Sequence, residues 1–171
     1  MKKIRLVEPL QIHKDTVLHY INEFNHKGEI SLNFGGFETY EKWLEETTKK
    51  RHGIDLPNNR VRAILFLVMD DNDNVIGVAD IKPELNENLL NFGGHISYSV
   101  RPSERNKGYA TAILSLMLEY AKKIGVNRVL LICNEQNNAS AKIIEKSGGV
   151  LENTLFDEAN NIMVKRYWIN L

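Results

Sequence analysis

The stretch Val100–Leu114, VRPSERNKGYATAIL, decides how this chain is interpreted. It leads from the end of an alternating strand, through a turn with a proline, into the clearest amphipathic helix of the sequence, Asn106–Ile124, which Gly125 ends. The first amides of a helix have no carbonyl partner within it and lie at the positive end of its dipole. The pattern therefore predicts a phosphate site at this helix start, with an ordinary strand-to-helix turn as the alternative.

The residues of the turn refine this prediction. Gly108 has no Cβ, so a ligand can approach its backbone closely, and the small Ala110 keeps the next turn open. Lys107 precedes Gly108 and Tyr109 follows it, which does not match the Gly-Lys-Ser/Thr of a Walker loop. The segment does not match the dinucleotide fingerprint of Rossmann folds either.

The rest of the chain alternates between strand and helix periods. Strand, helix, strand, helix, strand in the second half predicts a parallel pairing with a helical crossover, beside an antiparallel meander, and hence a mixed α/β fold. The predicted strands are a short one at Ile4–Leu6, then Val61–Met69, Val75–Ile81, His95–Val100, Val129–Cys133, Val150–Phe156 and Ile162–Trp168; the other predicted helices are Pro9–Lys27, one ending at Lys50, and Asn138–Lys146.

Composition narrows the function classes. A length of 171 residues is typical of one domain, which we expect to span 1–171. The 22 basic and 22 acidic residues cancel, so we expect no nucleic-acid partner. The longest apolar run, Ala63–Met69, is too short to cross a membrane. One cysteine, Cys133, and an N-terminal segment without the apolar run of a signal peptide predict a cytoplasmic location.

No metal site is predicted. His13, His19, His26 and His52 show no ligand spacing with a carboxylate partner. The acidic run Asp70–Asn74 has Val75 and Ile81 where a calcium loop requires Gly and Glu, so it is interpreted as a solvated turn.

A second segment, Asn134–Gly149 (NEQNNASAKIIEKSGG), follows the predicted phosphate loop after one further strand. The two segments together resemble the GNAT acetyltransferase superfamily, most strongly from Ile64 to about Phe156. The matching positions are Val100, Arg101 and Pro102 before the loop, Arg105, Gly108 and Ala110 within it, and Asn137, Glu145, Lys146 and Gly148 in the second segment.

The resemblance implies an α/β (α+β) GNAT fold: a mostly antiparallel mixed sheet, a central parallel pair splayed at the donor site, and about four flanking helices. It implies acetyl-CoA as acyl donor, with the diphosphate on the amides of the loop and the pantetheine along Tyr98–Val100. The donor-binding residues would be Ser99, Val100, Arg101, Arg105, Asn106, Lys107, Gly108, Tyr109, Ala110, Thr111, Asn137 and Ser140. Helix capping is an equally suitable role for Asn137.

Acyl transfer to an amine needs a base, an oxyanion donor and help for the leaving thiolate. The resemblance implies that a backbone amide near Ser99 or Val100 donates the hydrogen bond to the oxyanion. His95 stands where many members carry a glutamate base, with ordered water or a purely structural histidine as alternatives. The resemblance implies a tyrosine acid at position 144, but this chain has Ile144, which cannot donate a proton. The thiolate would then leave with help from Tyr98, from another residue or from water. A packing role in the core is the alternative for Tyr98. Cys133 is interpreted as a buried, inert thiol.

The sequence therefore predicts an N-acetyltransferase that moves the acetyl group of acetyl-CoA to a primary amine of a small molecule or peptide by direct attack in a ternary complex. A noncatalytic acetyl-CoA-binding sensor or assembly module is the alternative, and a homodimer is an open option. We expect the first two helices, the loop Asn33–Phe37 and the last hairpin to wall the acceptor pocket. Glu23, Glu29 and Glu38 lie there, as substrate contacts or as solvated helix ends.

Overall fold

The computed structural model describes residues 3–29, 34 and 36–171. The strands are β1 (Ile4–Val7), β2 (Ile64–Asp70), β3 (Val75–Ile81), β4 (Ile96–Val100), β5 (Arg128–Asn134), β6 (Val150–Asp157) and β7 (Ile162–Asn170), and the α-helices are α1 (Lys14–His26), α2 (Tyr40–His52), α3 (Tyr109–Lys123) and α4 (Asn138–Lys146). Short 3₁₀ turns cover Gln11–His13 and Pro102–Glu104, and a short π-helix covers Leu89–Gly93.

The strands form two antiparallel sheets, in the orders β1-β2-β3-β4 and β5-β7-β6. Strand β2 is buried on both faces, because its alternating side chains enter two separate cores. One core contains Ile64, Phe66 and Val68 together with side chains of α3, α4 and the second sheet. The other packs Leu65 and Leu67 against α1 and α2. The helices therefore cover both faces of the first sheet.

Strands β4 and β5 stand at the junction of the two sheets, linked through α3 in the strand–helix–strand order that returns a chain to a parallel neighbour. The His95 N–H donates to the Leu130 carbonyl over 2.8 Å. Beyond this point no ladder joins β4 and β5 among the described residues. The expected central pair is thus joined at one end and splayed at the other.

Several predicted boundaries shift. Helix α3 begins at Tyr109 rather than Asn106, because Asn106 (φ 61°) and Gly108 (φ 84°) adopt left-handed conformations that no α-helix contains. Helix α1 begins at Lys14 rather than Pro9, since a 3₁₀ turn precedes it. The π-helix at Leu89–Gly93 was not predicted, and within the loop Asn33–Phe37 the residues Asn33 and Gly35 lie outside the described part of the chain.

Helix α3 packs closely on the sheet at Gly77. A Cβ at that position would lie 2.4 Å from the Ser99 carbonyl oxygen and 2.9 Å from Ile113 Cδ1, so only glycine allows this packing. In the described ranges no helix combines the length and apolar character needed to cross a membrane. The Asp70–Asn74 turn is held by Asp70 Oδ1, which accepts from the backbone N–H groups of Asn72 and Asn74.

Candidate active site

A cavity of about 350 Å³ lies at the N-terminus of α3. Its walls come from three places: the end of β4, the turn into α3, and the start of α4. The lining residues are Tyr98, Ser99, Val100, Glu104, Arg105, Asn106, Gly108, Tyr109, Ala110, Thr111, Asn137, Ala139, Ser140 and Ile143. Ten of the twelve predicted donor-binding residues are in this set, and only Arg101 and Lys107 are not.

The start of α3 is open on the cavity side. Gly108 occupies the N-cap position and supplies no side-chain hydrogen bond. Among the described residues, the N–H groups of Lys107, Gly108, Ala110 and Thr111 have no acceptor within the protein. Because these donors lie at the positive end of the helix dipole, the cavity favours a ligand with anionic oxygens.

The cationic side chains near the loop are engaged elsewhere. Arg101 is 9% exposed, and its Nε donates to Glu23 Oε2 over 2.7 Å. Arg105 lines the cavity but pairs with Glu29, and Lys107 pairs with Glu104. The structure therefore does not bring the side chains of Arg101 and Lys107 into the cavity, so the anion site consists mainly of backbone amides.

A second cavity, of about 300 Å³, fills the gap where β4 and β5 diverge. It shares Tyr98, Asn137 and Ser140 with the first cavity, so the two adjoin. Its walls are Gly93, Ile96, Ser97 and Tyr98 on one side, and Leu131, Ile132, Cys133, Asn134, Asn137, Ser140 and Ile144 on the other. An extended ligand arm can therefore run from the α3 start into this gap.

The open edge of β4 presents backbone amides to the gap. The Arg101 N–H donates to the Ile76 carbonyl, which places Arg101 and, two residues earlier, Ser99 at positions bonded to β3. Because bonding positions alternate in an antiparallel pair, Tyr98 and Val100 turn their N–H groups away from β3 and toward the gap. The N–H groups of Val100 and Tyr98 therefore face the gap, whereas that of Ser99 faces β3.

Asn137 serves as a helix cap and also faces both cavities. Its Oδ1 accepts from the Ser140 N–H over 3.0 Å, which satisfies one of the free amides at the start of α4. The Nδ2 group remains as a donor for a ligand. The two roles considered for Asn137 are therefore compatible.

His95 lies at the closed end of the gap and lines neither cavity. Its Nδ1 accepts from the Leu130 N–H over 2.9 Å, so the neutral ring carries its proton on Nε2. Burial lowers the pKa of His95 below its usual value, and the charge of Lys82 adds to this. With Nδ1 already occupied and Nε2 protonated, His95 has no free lone pair, which argues against the predicted role as base and for a structural one.

Tyr98 borders both cavities, and its hydroxyl is buried without a hydrogen-bond partner in the described part of the chain. Burial raises the pKa of Tyr98 to about 12, so the phenol is protonated at neutral pH. Ile144, at the position expected to hold a tyrosine, is buried in the wall of the gap. Burial also raises the pKa of the Cys133 thiol, in line with its interpretation as inert.

Comparison with known proteins agrees with this geometry. Residues 17–150 match the family model described as an acetyltransferase (GNAT) domain. The chain belongs to the GNAT acetyltransferase family. No curated protein sequence matches it significantly.

Solved GNAT structures share the whole fold of this acetyltransferase. The microcin C7 self-immunity acetyltransferase MccE, solved with acetyl-CoA and AMP, superposes with a TM-score of 0.72 at 15% identity, over 99% of this chain and 93% of that chain. The F149G mutant of the spermidine N-acetyltransferase SpeG from Vibrio cholerae gives 0.68 at 21% identity, over 98% and 93%. At these identities the likeness establishes the shared GNAT fold.

Three residues that line the first cavity, at the start of α3, were not predicted: Glu104, Ala139 and Ile143. Ala139 and Ile143 are four residues apart on α4, so both lie on the face that already carries Ser140. That spacing was a usable signal. For Glu104 the sequence carries no comparable signal.

Proposed function

We propose that this GNAT protein transfers the acetyl group of acetyl-CoA to a primary amine of a small molecule or peptide, by direct attack within a ternary complex. One observation carries the proposal: unpaired amides at the start of α3 face a cavity that continues into the gap between β4 and β5. A diphosphate and a thioester arm are the two parts of a donor that such a site suits. The proposal treats 1–171 as one domain acting in the cytoplasm, and pairing of two copies stays a prediction.

The donor diphosphate would accept hydrogen bonds from the amides of Lys107, Gly108, Ala110 and Thr111. The pantetheine would pair with the free edge of β4 at Tyr98 and Val100, as an added strand does. Asn137 Nδ2 would donate to the arm from the opposite wall. These contacts use the backbone mainly, so they tolerate the engagement of Arg101, Arg105 and Lys107 in ion pairs.

The chemical step forms one bond and breaks another. The unprotonated amine attacks the thioester carbonyl carbon, negative charge develops on the carbonyl oxygen, and the C–S bond then breaks to release the thiolate of CoA. The Val100 or Tyr98 amide would stabilise the oxyanion. Ordered water would take the ammonium proton, because the geometry offers no free lone pair on His95.

Tyr98 would assist the sulfur as a hydrogen-bond donor. Burial raises the pKa of Tyr98 to about 12, above that of a thiol, about 8.5, so full proton transfer to the thiolate is unfavourable. A hydrogen bond to the sulfur or to the oxyanion needs no such transfer. The unpartnered, buried hydroxyl at the gap supports this role.

The acceptor would reach the thioester through the far side of the gap. Two further cavities continue from the gap. Asn134 borders both the gap and the first of them, which Glu135 also lines. Phe156 lines that cavity and also the second one, together with Phe92 and Glu158. Carboxylates and aromatic rings favour a cationic amine. Glu23, Glu29 and Glu38, in contrast, are all paired with basic residues of the protein.

Two measurements test the proposed function. Thermal shift with acetyl-CoA, CoA and ATP should show stabilisation by both CoA species, and thiol release should then appear with at least one amine of a panel. Donor binding without release under any amine would favour the noncatalytic sensor, for which Ile144 in place of tyrosine is the supporting feature. A preference for ATP would contradict the proposal.

A further inference from the structure

Helix α1 is fastened to the segment that shapes the donor site, over a long separation in sequence. Every second residue from Ser99 to Arg105 contacts α1 or the turn after it. The hydroxyls of Tyr20 and Ser99 are 2.8 Å apart, Glu23 binds both Arg101 and Ser103, and Arg105 pairs with Glu29 while lying over the Phe24 ring. The partners on α1 follow helical spacing, so one face of the helix supports the whole segment.

Glu23 is the centre of this contact. Its Oε2 accepts from Arg101 Nε over 2.7 Å, and its Oε1 accepts from the Ser103 N–H, also over 2.7 Å. Burial raises the pKa of Glu23, but the bonds from Ser103 and Arg101 outweigh burial and hold the pKa below its usual range. The carboxylate is therefore ionised at neutral pH and bridges the last residue before Pro102 and the turn after it.

The Arg101 end of the bridge is rigid as well. Its Nη1 donates to the Val75 carbonyl over 3.2 Å, and Nη2 lies 3.1 Å from His19 Nδ1. Because the guanidinium is a planar fork, these contacts fix its orientation. Because Arg101 fixes the Glu23 carboxylate, the carboxylate fixes the position of the 3₁₀ turn Pro102–Glu104. This turn directly precedes the loop whose amides face the cavity.

We infer that Glu23 is a positioning residue for the donor diphosphate: it holds the turn before α3 so that the amides of Lys107, Gly108, Ala110 and Thr111 converge on one site. This inference rests on the proposed function and deepens it. Glu23 lines neither the donor cavity nor the gap, so it would act on the donor only through the loop. The thioester arm, bound by β4 and Asn137, would not depend on it.

The test compares two donors in two variants. Acetyl-CoA carries the diphosphate, whereas acetyl-pantetheine carries only the arm and the thioester. Glu23→Gln keeps an acceptor for Ser103 but leaves Arg101 without its counter-charge. The control is Glu41→Gln, which removes an ion pair of the same 2.7 Å length, although a more exposed one, to Lys14 at the other end of α1 and away from the donor site.

We expect Glu23→Gln to weaken acetyl-CoA binding about tenfold by calorimetry, as loss of one charged hydrogen bond would. Binding of acetyl-pantetheine, followed by ligand-observed NMR, should change less than about twofold. Turnover at saturating acetyl-CoA should match the wild type, so the effect falls on KM. Glu41→Gln should bind both donors as the wild type does.

Three outcomes would overturn the inference: unchanged acetyl-CoA binding in Glu23→Gln, an equal loss for both donors, or an equal loss in Glu41→Gln. If Glu23→Gln does not fold, Arg101→Lys, which keeps the charge and loses the fork, takes its place with the same expectations. Glu23→Asp should recover part of the affinity. A wild-type protein that binds neither donor would contradict the proposed function itself, whereas binding that ignores Glu23 contradicts only this inference.

Discussion

At one end of the gap between β4 and β5, His95 and Leu130 exchange hydrogen bonds with each other. Beyond the other end, the N–H groups of Lys107, Gly108, Ala110 and Thr111 have no acceptor in the described part of the chain. Both ends belong to the same pair of strands. The closed end satisfies its polar groups internally and contributes to stability. The open end keeps its groups available, so its contribution appears only when a ligand supplies the acceptors.

The comparison separates two kinds of mutation. Changes at the closed end should lower the free energy of unfolding and leave donor affinity nearly unchanged. Changes at the open end should do the reverse.

The largest effect is expected for His95→Ala. The substitution removes a buried ring and leaves the Leu130 N–H unsatisfied, so the free energy of unfolding should fall by about 3 kcal/mol. Acetyl-CoA affinity should change less than about threefold. Urea denaturation and calorimetry check the two numbers. A normal stability combined with a large loss of turnover would restore His95 as the base.

Gly108→Val should act at the open end. A side chain at a φ of 84° strains the backbone of the loop, and the branched valine would lie beside the free amides. Both effects oppose binding of acetyl-CoA, so we expect its affinity to fall about thirtyfold. Gly125→Val is the matched control, because Gly125 has a φ of 87° and equal free space at the other end of α3. Both variants should lose similar stability. An equal loss of donor affinity in Gly125→Val would contradict the assignment of the α3 start.

Tyr98→Phe tests the middle of the gap. Removing the hydroxyl should lower kcat about tenfold, because the sulfur or the oxyanion loses a donor in the transition state. Acetyl-CoA affinity should stay at the wild-type value, since the ring remains. Tyr120→Phe, whose ring packs on Phe66, serves as control. An unchanged kcat, measured with the best amine of the panel, would leave Tyr98 with a packing role only.

The smallest effect concerns pH. The pKa of His95 is lowered in the folded protein, so below its ordinary value of about 6.5 the unfolded chain binds protons more strongly. His95 therefore stabilises the fold above that pH, and this contribution is lost as pH falls through the window below it. His95→Gln should show a weaker dependence of unfolding free energy on pH between 7 and 5. Identical slopes in the two proteins would contradict the buried neutral ring.

The sequence predicts what depends on local pattern. The alternation of β4 and the apolar stripe of α3 are local patterns, so the sequence predicts both elements and the order in which they follow each other. The helix start is predicted three residues early, because the apolar pattern does not reveal the left-handed conformations of Asn106 and Gly108. The orientation of Arg101 is not local: its carboxylate partner, Glu23, is 78 residues away. The same holds for His95, since its strand position indicates a face but not the Leu130 amide that occupies Nδ1.

The position of β7 has a consequence for how the chain folds during synthesis. β7, which comes after β6 in sequence, lies between β5 and β6 and is the strand to which both are bonded. Strand β5 therefore gains its ladder partner only once β7 has been synthesised, whereas all four strands of the first sheet are present by Val100. Because β5 forms one wall of the gap, that wall depends on a strand synthesised after the first sheet and α3.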